Sequence, residues 1–273
     1  MPRRRYPSDL TDTQWARLEP LLPPVRPGGR PRAHPLREII DALRYVLRGG
    51  IAWRALPHDY PPWQTVYHYF RAWRLDGTWE RLSDELRELV RERAGRNRQP
   101  SAAILDSQSV KTTEKRGPRG YDGAKKLSGR KRHLLVDTIG LVMRVVVHAA
   151  DIPDRDGAKL VLAGSTQRFP RLAHLWLDAG YQGGTVTWIE QELGLSTTVV
   201  RKPRRWVWCP ADQEPPPMPT GFQVLPRRWV VERTFAWLGR YRRLSNDYEA
   251  LPATEAAWIY LAMSSLMLAR LAK

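Results

Sequence analysis

At Ala94-Gly95-Arg96-Asn97-Arg98-Gln99-Pro100 the chain changes character, and this polar segment reads as a linker between two kinds of hydrophobic periodicity. Ahead of it, apolar residues recur at helical spacing. Ser8-Asp9-Leu10-Thr11-Asp12 offers N-caps for a helix through Leu18 and Leu22, and the Pro- and Gly-rich stretch from Pro23 to Pro31 breaks the chain. A second helix is expected from Pro35 to Arg48, ended by Gly49-Gly50. A third runs through Val66, Tyr67, Phe70 and Trp73, and a fourth from Trp79 to about Arg93. Short helices with a turn between the second and third suggest a helix-turn-helix-like module.

Beyond the linker the apolar runs are short. Ala102 to Leu105, Lys131 to Thr138 and Leu141 to Ala149 read as strands, the last two joined by a tight turn at Ile139-Gly140. A helix is expected over Asp154–Gln167, a strand over His174–Leu177, a helix over Thr187–Leu193 and a strand over Thr197–Val200. Helices over Arg227–Leu244 and Thr254–Leu271 finish the pattern. Three strands followed by alternating helix and strand argue for an α/β fold, a mixed five-stranded sheet with helices on both faces. The expected division is a helical domain over residues 1–98 and an α/β domain over 99–273.

Charge narrows the partners. Across 273 residues, 45 Lys and Arg face 28 Asp and Glu, a net charge of +17. Such a surplus points to an anionic partner, of which nucleic acid is the usual one, although a ribosome-associated or merely basic protein would fit it too. The single cysteine, Cys209, excludes a disulfide framework and a cysteine-based zinc site, and the six histidines lack zinc-ligand spacing. The start of the chain lacks a signal-peptide core, and no run of about 18 apolar residues occurs. The most apolar stretch, Ala256 to Leu271, carries Ser264, Ser265 and Arg270 and reads as a buried helix. A protein of a reducing cytosol, with no membrane partner and no small-molecule cofactor, is expected.

Two carboxylates share a setting. Ile104-Leu105-Asp106-Ser107 and Trp176-Leu177-Asp178-Ala179 each place an Asp just after an apolar strand. In an open α/β sheet, ligands bind outside the carboxyl ends of the strands, so neighbouring strands would bring the two acids together. Taken singly, each is as readily a turn residue or helix cap. Glu232 lies on a helix beside Arg228 at i, i+4, where a plain surface ion pair is the simpler explanation. Three converging carboxylates would suit two Mg2+ or Mn2+ ions, which prefer hard oxygen ligands and promote in-line displacement at phosphorus. Basic residues concentrate beside these acids. Nine Lys or Arg against two acids lie between Lys111 and Arg132, and ten against three between Arg201 and Arg243.

These segments carry a resemblance. Ala103 to Thr112 resembles the first catalytic-Asp segment of the insertion-sequence-five-like (IS4/IS5-type) DDE transposases, and Gly129 to Thr138 the segment that follows it. Leu177-Asp178-Ala179-Gly180-Tyr181 matches the second Asp, and Arg228 to Leu238 the Glu segment. Trp53-Arg54-Ala55-Leu56-Pro57 and Trp63-Gln64-Thr65-Val66-Tyr67 fit the N-terminal part, so the resemblance covers nearly the whole chain. It implies an RNase H-like core, terminal inverted repeats as the DNA bound, and excision and insertion of an element. By position it makes Asp106, Asp178 and Glu232 the catalytic metal ligands. The family's Tyr-Arg-Glu-Lys signature is incomplete: Arg228 and Glu232 fit, Leu225 stands at the Tyr position, and Gly239 at the basic position, with Arg240 one residue later.

DNA contacts are therefore expected from Arg30, Arg32 and Arg54, from Lys111, Lys125, Lys126, Arg130, Lys131 and Arg132, and from Arg228, Arg233 and Arg240, with Arg228 favoured over Arg240. Trp206 and Trp208 join them from a basic loop, Pro203 to Pro226, too short to hold a large inserted domain. Trp15, Trp73 and Trp79 are expected as core anchors, Asp154 and Asp156 as helix-opening acids, Asp137 at a hairpin edge, and His133 as structural. Because two element ends must be joined, the active complex is expected to be a homodimer. The rival expectations are a non-catalytic DNA-binding protein and a junction-resolving nuclease on the same core.

Overall fold

The structure is a computed structural model that describes residues 3–24, 32–114, 117–200 and 227–273. Helix α1 (Asp12–Leu18) opens with a capping box, in which Thr11 accepts from the Gln14 amide and Gln14 accepts in turn from the Thr11 amide. Helix α2 (Leu36–Gly49) buries Ile39, Ile40, Leu43, Val46 and Leu47 and ends on Gly50 in the left-handed region. Helices α3 (Trp63–Leu75) and α4 (Thr78–Arg93) follow, with Trp73 and Trp79 buried edge to face at 5.1 Å.

The sheet holds β1 (Ala102–Lys111), β2 (Gly120–Asp122), β3 (Leu127–Asp137), β4 (Val142–Ala149), β5 (His174–Asp178) and β6 (Ser196–Val200). Its five long strands run in the order β4-β3-β1-β5-β6, antiparallel on the β3 side and parallel on the β5 side. The short β2 adds a sixth strand as a hairpin with β3. Strand β1 runs five residues past Asp106, because residues 106–111 pair with β3 alone, beyond the end of β5. Polar Asp106-Ser107-Gln108-Ser109 hides this extension from a pattern built on apolar runs.

Alternation along the strands sends side chains to two cores. Ile104, Leu134 and Val136 meet α8 (Arg228–Leu238), α9 (Pro252–Leu271) and the N-terminal helices. Leu105, Leu135 and Met143 meet α5 (Asp154–Leu162) and α7 (Gly184–Leu193), and the short α6 (Ser165–Arg168) follows α5 in the chain. Helix α9 is apolar on nearly every side and is buried accordingly. Phe70 of α3 stacks on Trp258 of α9 at 4.1 Å, so one hydrophobic core runs from the first helices to the last.

Two helices are shorter than their periodicity suggests. The expected helix over 154–167 breaks at Ala163-Gly164, where Gly164 is left-handed. Helix α8 stops at Leu238, and Tyr241 and Leu244 belong to a following turn. Gly239 is a weak helix former, and the turn lets buried Arg243 pair with Glu249 and donate to the Ile51 carbonyl. The buried stripe of α8 is therefore Val230, Val231, Thr234 and Leu238.

One glycine packs against a histidine pair. A Cβ at Gly157 would stand 2.3 Å from His133 Nε2 and 2.7 Å from His148 Nε2. Gly157→Ala should cost roughly 1–3 kcal/mol in a denaturant melt, since β3 and β4 cannot retreat from α5. An unchanged midpoint would show that the pair yields freely.

The candidate active site

Asp106 and Asp178 follow Leu105 and Leu177, the last residues paired between parallel strands β1 and β5. Neighbouring strands lie close to 4.8 Å apart, so register alone sets the two carboxylates side by side. Both fall on the face covered by α8, where Arg228 and Val231 close over them. From α8 the Arg228 guanidinium reaches Asp178 at 3.2 Å and Glu232 at 3.0 Å. The i, i+4 ion pair expected from the spacing thus exists, and it is also one half of a bridge between two of the three acids.

The electrostatics are those of crowded acids. Asp106 is pushed up to about 6, chiefly by burial and then by facing Asp178, against the pull of the Ser107 amide, Arg228 and Lys125. That amide donates to Asp106 Oδ1 at 2.7 Å. Asp178 accepts from the Gly180 amide at the head of its turn. Among the described residues, no three acidic, imidazole or thiol groups stand at metal-ligand spacing, because Glu232 points to Arg228 rather than to Asp106. The donor set nonetheless suits a hard divalent cation: it is all carboxylate oxygen, partly desolvated, and one carboxyl is driven up by burial and by the acid beside it.

A fourth acid stands at the rim. Asp154, in the first turn of α5, accepts from Ser107 Oγ at 3.0 Å and from Lys131 Nζ at 3.2 Å. A Cβ at Gly180 would touch both Asp178 Oδ1 and Asp154 Oδ2. The helix-opening position is visible in the sequence. The link to Ser107 is not, because it depends on β1 continuing past Asp106 so that Ser107 turns to the α5 face. Tyr181 is buried beside the same acids, its hydroxyl 3.3 Å from His133 Nδ1.

His133 is fully buried, stacked on His148 at 4.8 Å, and pushed down to about 3 by burial and then by His148. The folded chain therefore keeps this ring neutral where an unfolded chain, near its ordinary 6.5, would take up a proton. Acid favours the unfolded chain, so stability should fall as pH drops from 6.5 toward 3, with this group contributing at most about 1.4 kcal/mol per pH unit. Thermal melts of the wild type and His133→Gln should show a shallower acid slope in the variant. Equal slopes would assign acid sensitivity elsewhere.

The basic residues divide. Lys125 and Lys126 are exposed at the tip of the β2–β3 hairpin, Lys111 is exposed at the end of β1, and Arg54 is exposed and stacked on Trp63 at 5.8 Å. Arg240 is exposed just past the end of α8. Arg32 is partly buried and donates to the Pro23 carbonyl, and Arg233 is partly buried between two tryptophans. Arg130, Lys131 and Arg132, expected as DNA contacts, instead point into the protein and are buried in ion pairs. Arg130 pairs with Asp247 at 2.9 Å, Lys131 with Asp154, and Arg132 with Glu255, all at 6 % exposure or less except Asp154. Each is desolvated and already holds an acid, which leaves it no charge to offer a phosphate. Arg30, Trp206, Trp208, Leu225, Cys209 and the loop 203–226 lie outside the described residues. Asp137 does close the hairpin: it accepts from the Ile139 and Leu141 amides and from Arg91.

Comparison with known proteins fits this geometry. Residues 10–83 match the family model "Putative transposase of IS4/5 family", and residues 97–267 match the model "Transposase DDE domain". The chain belongs to the DDE transposase family. The DDE domain carries an RNase H-like fold, in agreement with the mixed sheet and its flanking helices. A curated relative, the "Insertion element IS402 uncharacterized 16.2 kDa protein" of Burkholderia cepacia, is 32% identical over 110 residues, 37% of this chain and 72% of that protein. No solved structure matches. DDE transposases act on DNA in transposition and use divalent metal ions, so DNA is the partner class. No helix among the described residues is long and apolar enough to cross a membrane.

Proposed function

We propose that this DDE transposase cuts DNA at the terminal inverted repeats of its element and transfers the freed ends to target DNA, with Asp106, Asp178 and Glu232 as its catalytic acids. The observation that carries the reading is the placing of Asp106 beside Asp178 at the ends of neighbouring parallel strands, with Arg228 of α8 bridging Asp178 to Glu232. In the first step water forms a new bond to phosphorus as the bond to the 3′ oxygen breaks, leaving a 3′-hydroxyl and a 5′-phosphate. In the second, that 3′-hydroxyl forms the bond and a target 3′ oxygen leaves. Both are in-line displacements at phosphorus, so one site serves both.

Asp106, Asp178 and Glu232 would hold two Mg2+ or Mn2+ ions, which supply Lewis acidity and a more acidic water when bound. The Ser107 amide orients Asp106, and Arg228 holds Asp178 and Glu232 toward each other. Lys125 and Lys126 on the hairpin tip grip phosphates next to the cut. Residues 1–98 form the recognition unit, with α2 and α3 as its helix-turn-helix-like pair and Arg30, Arg32 and Arg54 as cations, and residues 99–273 form the catalytic unit. A homodimer would hold two ends together, in the cytoplasm at the nucleoid, without any small-molecule cofactor.

The test is manganese-dependent nicking of a labelled duplex that carries the element's own ends, with Asp178→Ala alongside. Nicking at the repeat boundary by the wild type alone is expected, with joined products when a plasmid target is added. Binding by both proteins and cutting by neither would make the chain a DNA-binding protein without catalysis.

A further inference from the structure

One residue further round α8 from Arg228 and Glu232, Trp229 and Arg233 line a cleft of about 560 Å3 together with Arg93, Arg96, Arg227 and Arg270. Five arginines share this cleft. Among the described residues, none of the five forms an ion pair with an acid. The acid whose charge acts on Arg233 and Arg270, Asp137, is fully buried and engaged by Arg91 at 2.7 Å.

Four of these cations, all but the exposed Arg96, are held in place rather than left to spread apart. Arg233 lies between two rings, 4.5 Å from the Trp229 centroid and 4.6 Å from that of Trp237, and donates to the Ile139 carbonyl at 3.0 Å. Its Nε is buried without an acceptor. Arg270 sits over Trp237 at 4.6 Å, where burial and the charge of Arg233 both work against its protonated form. Arg93 donates to the Leu271 carbonyl at the end of α9, and Arg227 covers Trp176 at 5.4 Å. Trp229 stays nearly half exposed at the edge of the cleft. Guanidiniums fixed by aromatic stacking, close enough to repel and without acids to neutralise them, form a receptor for an anion with several oxygens.

We propose that this cleft binds backbone phosphates of the DNA strand that runs away from the carboxylate site along α8. The proposal rests on the DNA-cutting reading above. Glu232 and Arg233 are consecutive on one helix, about 1.5 Å apart along its axis and about 100° apart around it, so a strand held at the acids reaches the cleft by passing round α8. Phosphate is the matching chemistry because a planar guanidinium offers it paired donors, and because recognition of the backbone needs no particular base.

The experiment measures binding of a fluorescein-labelled, mixed-sequence DNA duplex to the full chain over a range of NaCl concentrations. It compares the wild type, the cleft variant Arg96→Gln/Arg270→Gln, the single variant Arg96→Gln, and the charge-matched control Lys159→Gln/Arg171→Gln on the α5 side. Removing a cation that neutralises one phosphate should make the plot of log affinity against log salt shallower by about one unit. The double variant is expected to lose about two units and roughly tenfold or more in affinity at low salt, the exposed single about one unit, and the control almost none. A slope for both cleft variants equal to that of the control would overturn the cleft as a phosphate site while leaving the catalytic reading intact, provided the wild type still nicks. Should the wild type itself show no salt-dependent DNA binding, the reading beneath falls with it. The single Arg96 variant, whose side chain is exposed, keeps the test open if loss of Arg270 unfolds the end of α9.

Discussion

Asp106→Asn should lower DNA cleavage at least about a thousand-fold while leaving DNA binding as tight as before, or tighter. The amide can still accept from the Ser107 N–H, so the local geometry of β1 survives. What it removes is a negative oxygen from a site where Asp178 and Glu232 already crowd a single guanidinium. Several kcal/mol of transition-state stabilisation depend on that charge, and each 1.36 kcal/mol is a factor of ten in rate. The tighter binding has the same origin, since one fewer carboxylate repels the phosphate backbone. Gel-based cleavage with Mn2+, beside fluorescence anisotropy for binding, reads both quantities. Loss of binding in parallel with cleavage would mean that Asp106 serves the fold, and cleavage within a few-fold of wild type would remove it from the chemistry.

The second large effect is on stability. Arg132→Met should destabilise the chain by about 3–5 kcal/mol, because it strands Glu255 without a partner in the core. Burial already pushes Glu255 up to about 8, with Asp247 and Glu249 adding to it against the pull of Arg132. Arg132 also caps the Leu244 carbonyl at 2.9 Å, so the turn after α8 loosens with it. For a chain of this size the melting temperature should drop by roughly 10 °C. The double variant Arg132→Met/Glu255→Leu should regain most of that stability, since two apolar groups can replace a buried pair. If Arg132→Met instead weakens DNA binding in a well-folded protein, Arg132 is a phosphate contact after all.

That experiment also marks where sequence stops being informative. Gly129-Arg130-Lys131-Arg132 looks like a basic strip, and nothing nearby says otherwise. The acids of Arg130 and Arg132, Asp247 and Glu255, lie more than a hundred residues further on, past the end of helix α8. The reverse holds for Asp106 and Asp178. Each follows an apolar strand within a few residues, and parallel pairing of those strands does the rest, so the pattern is local and legible. Asp154 stands between the two cases. Its place at a helix start is written locally, but its bond to Ser107 depends on a strand extension that four polar residues conceal. The five-arginine cleft is invisible in the sequence for the same reason as the buried pairs: it gathers side chains from α4, α8 and α9, which are far apart along the chain.

The stacking of Phe70 on Trp258 joins the first helices to the last one. On the ribosome this sets an order of events. Helices α1 to α4 emerge early, yet the apolar surface that α9 covers stays open until residues near Leu271 have left the exit tunnel. The helical segment and the sheet would then reach their folded state together once α9 has emerged, and a chain cut short before α9 would present a sticky hydrophobic face rather than a folded N-terminal unit.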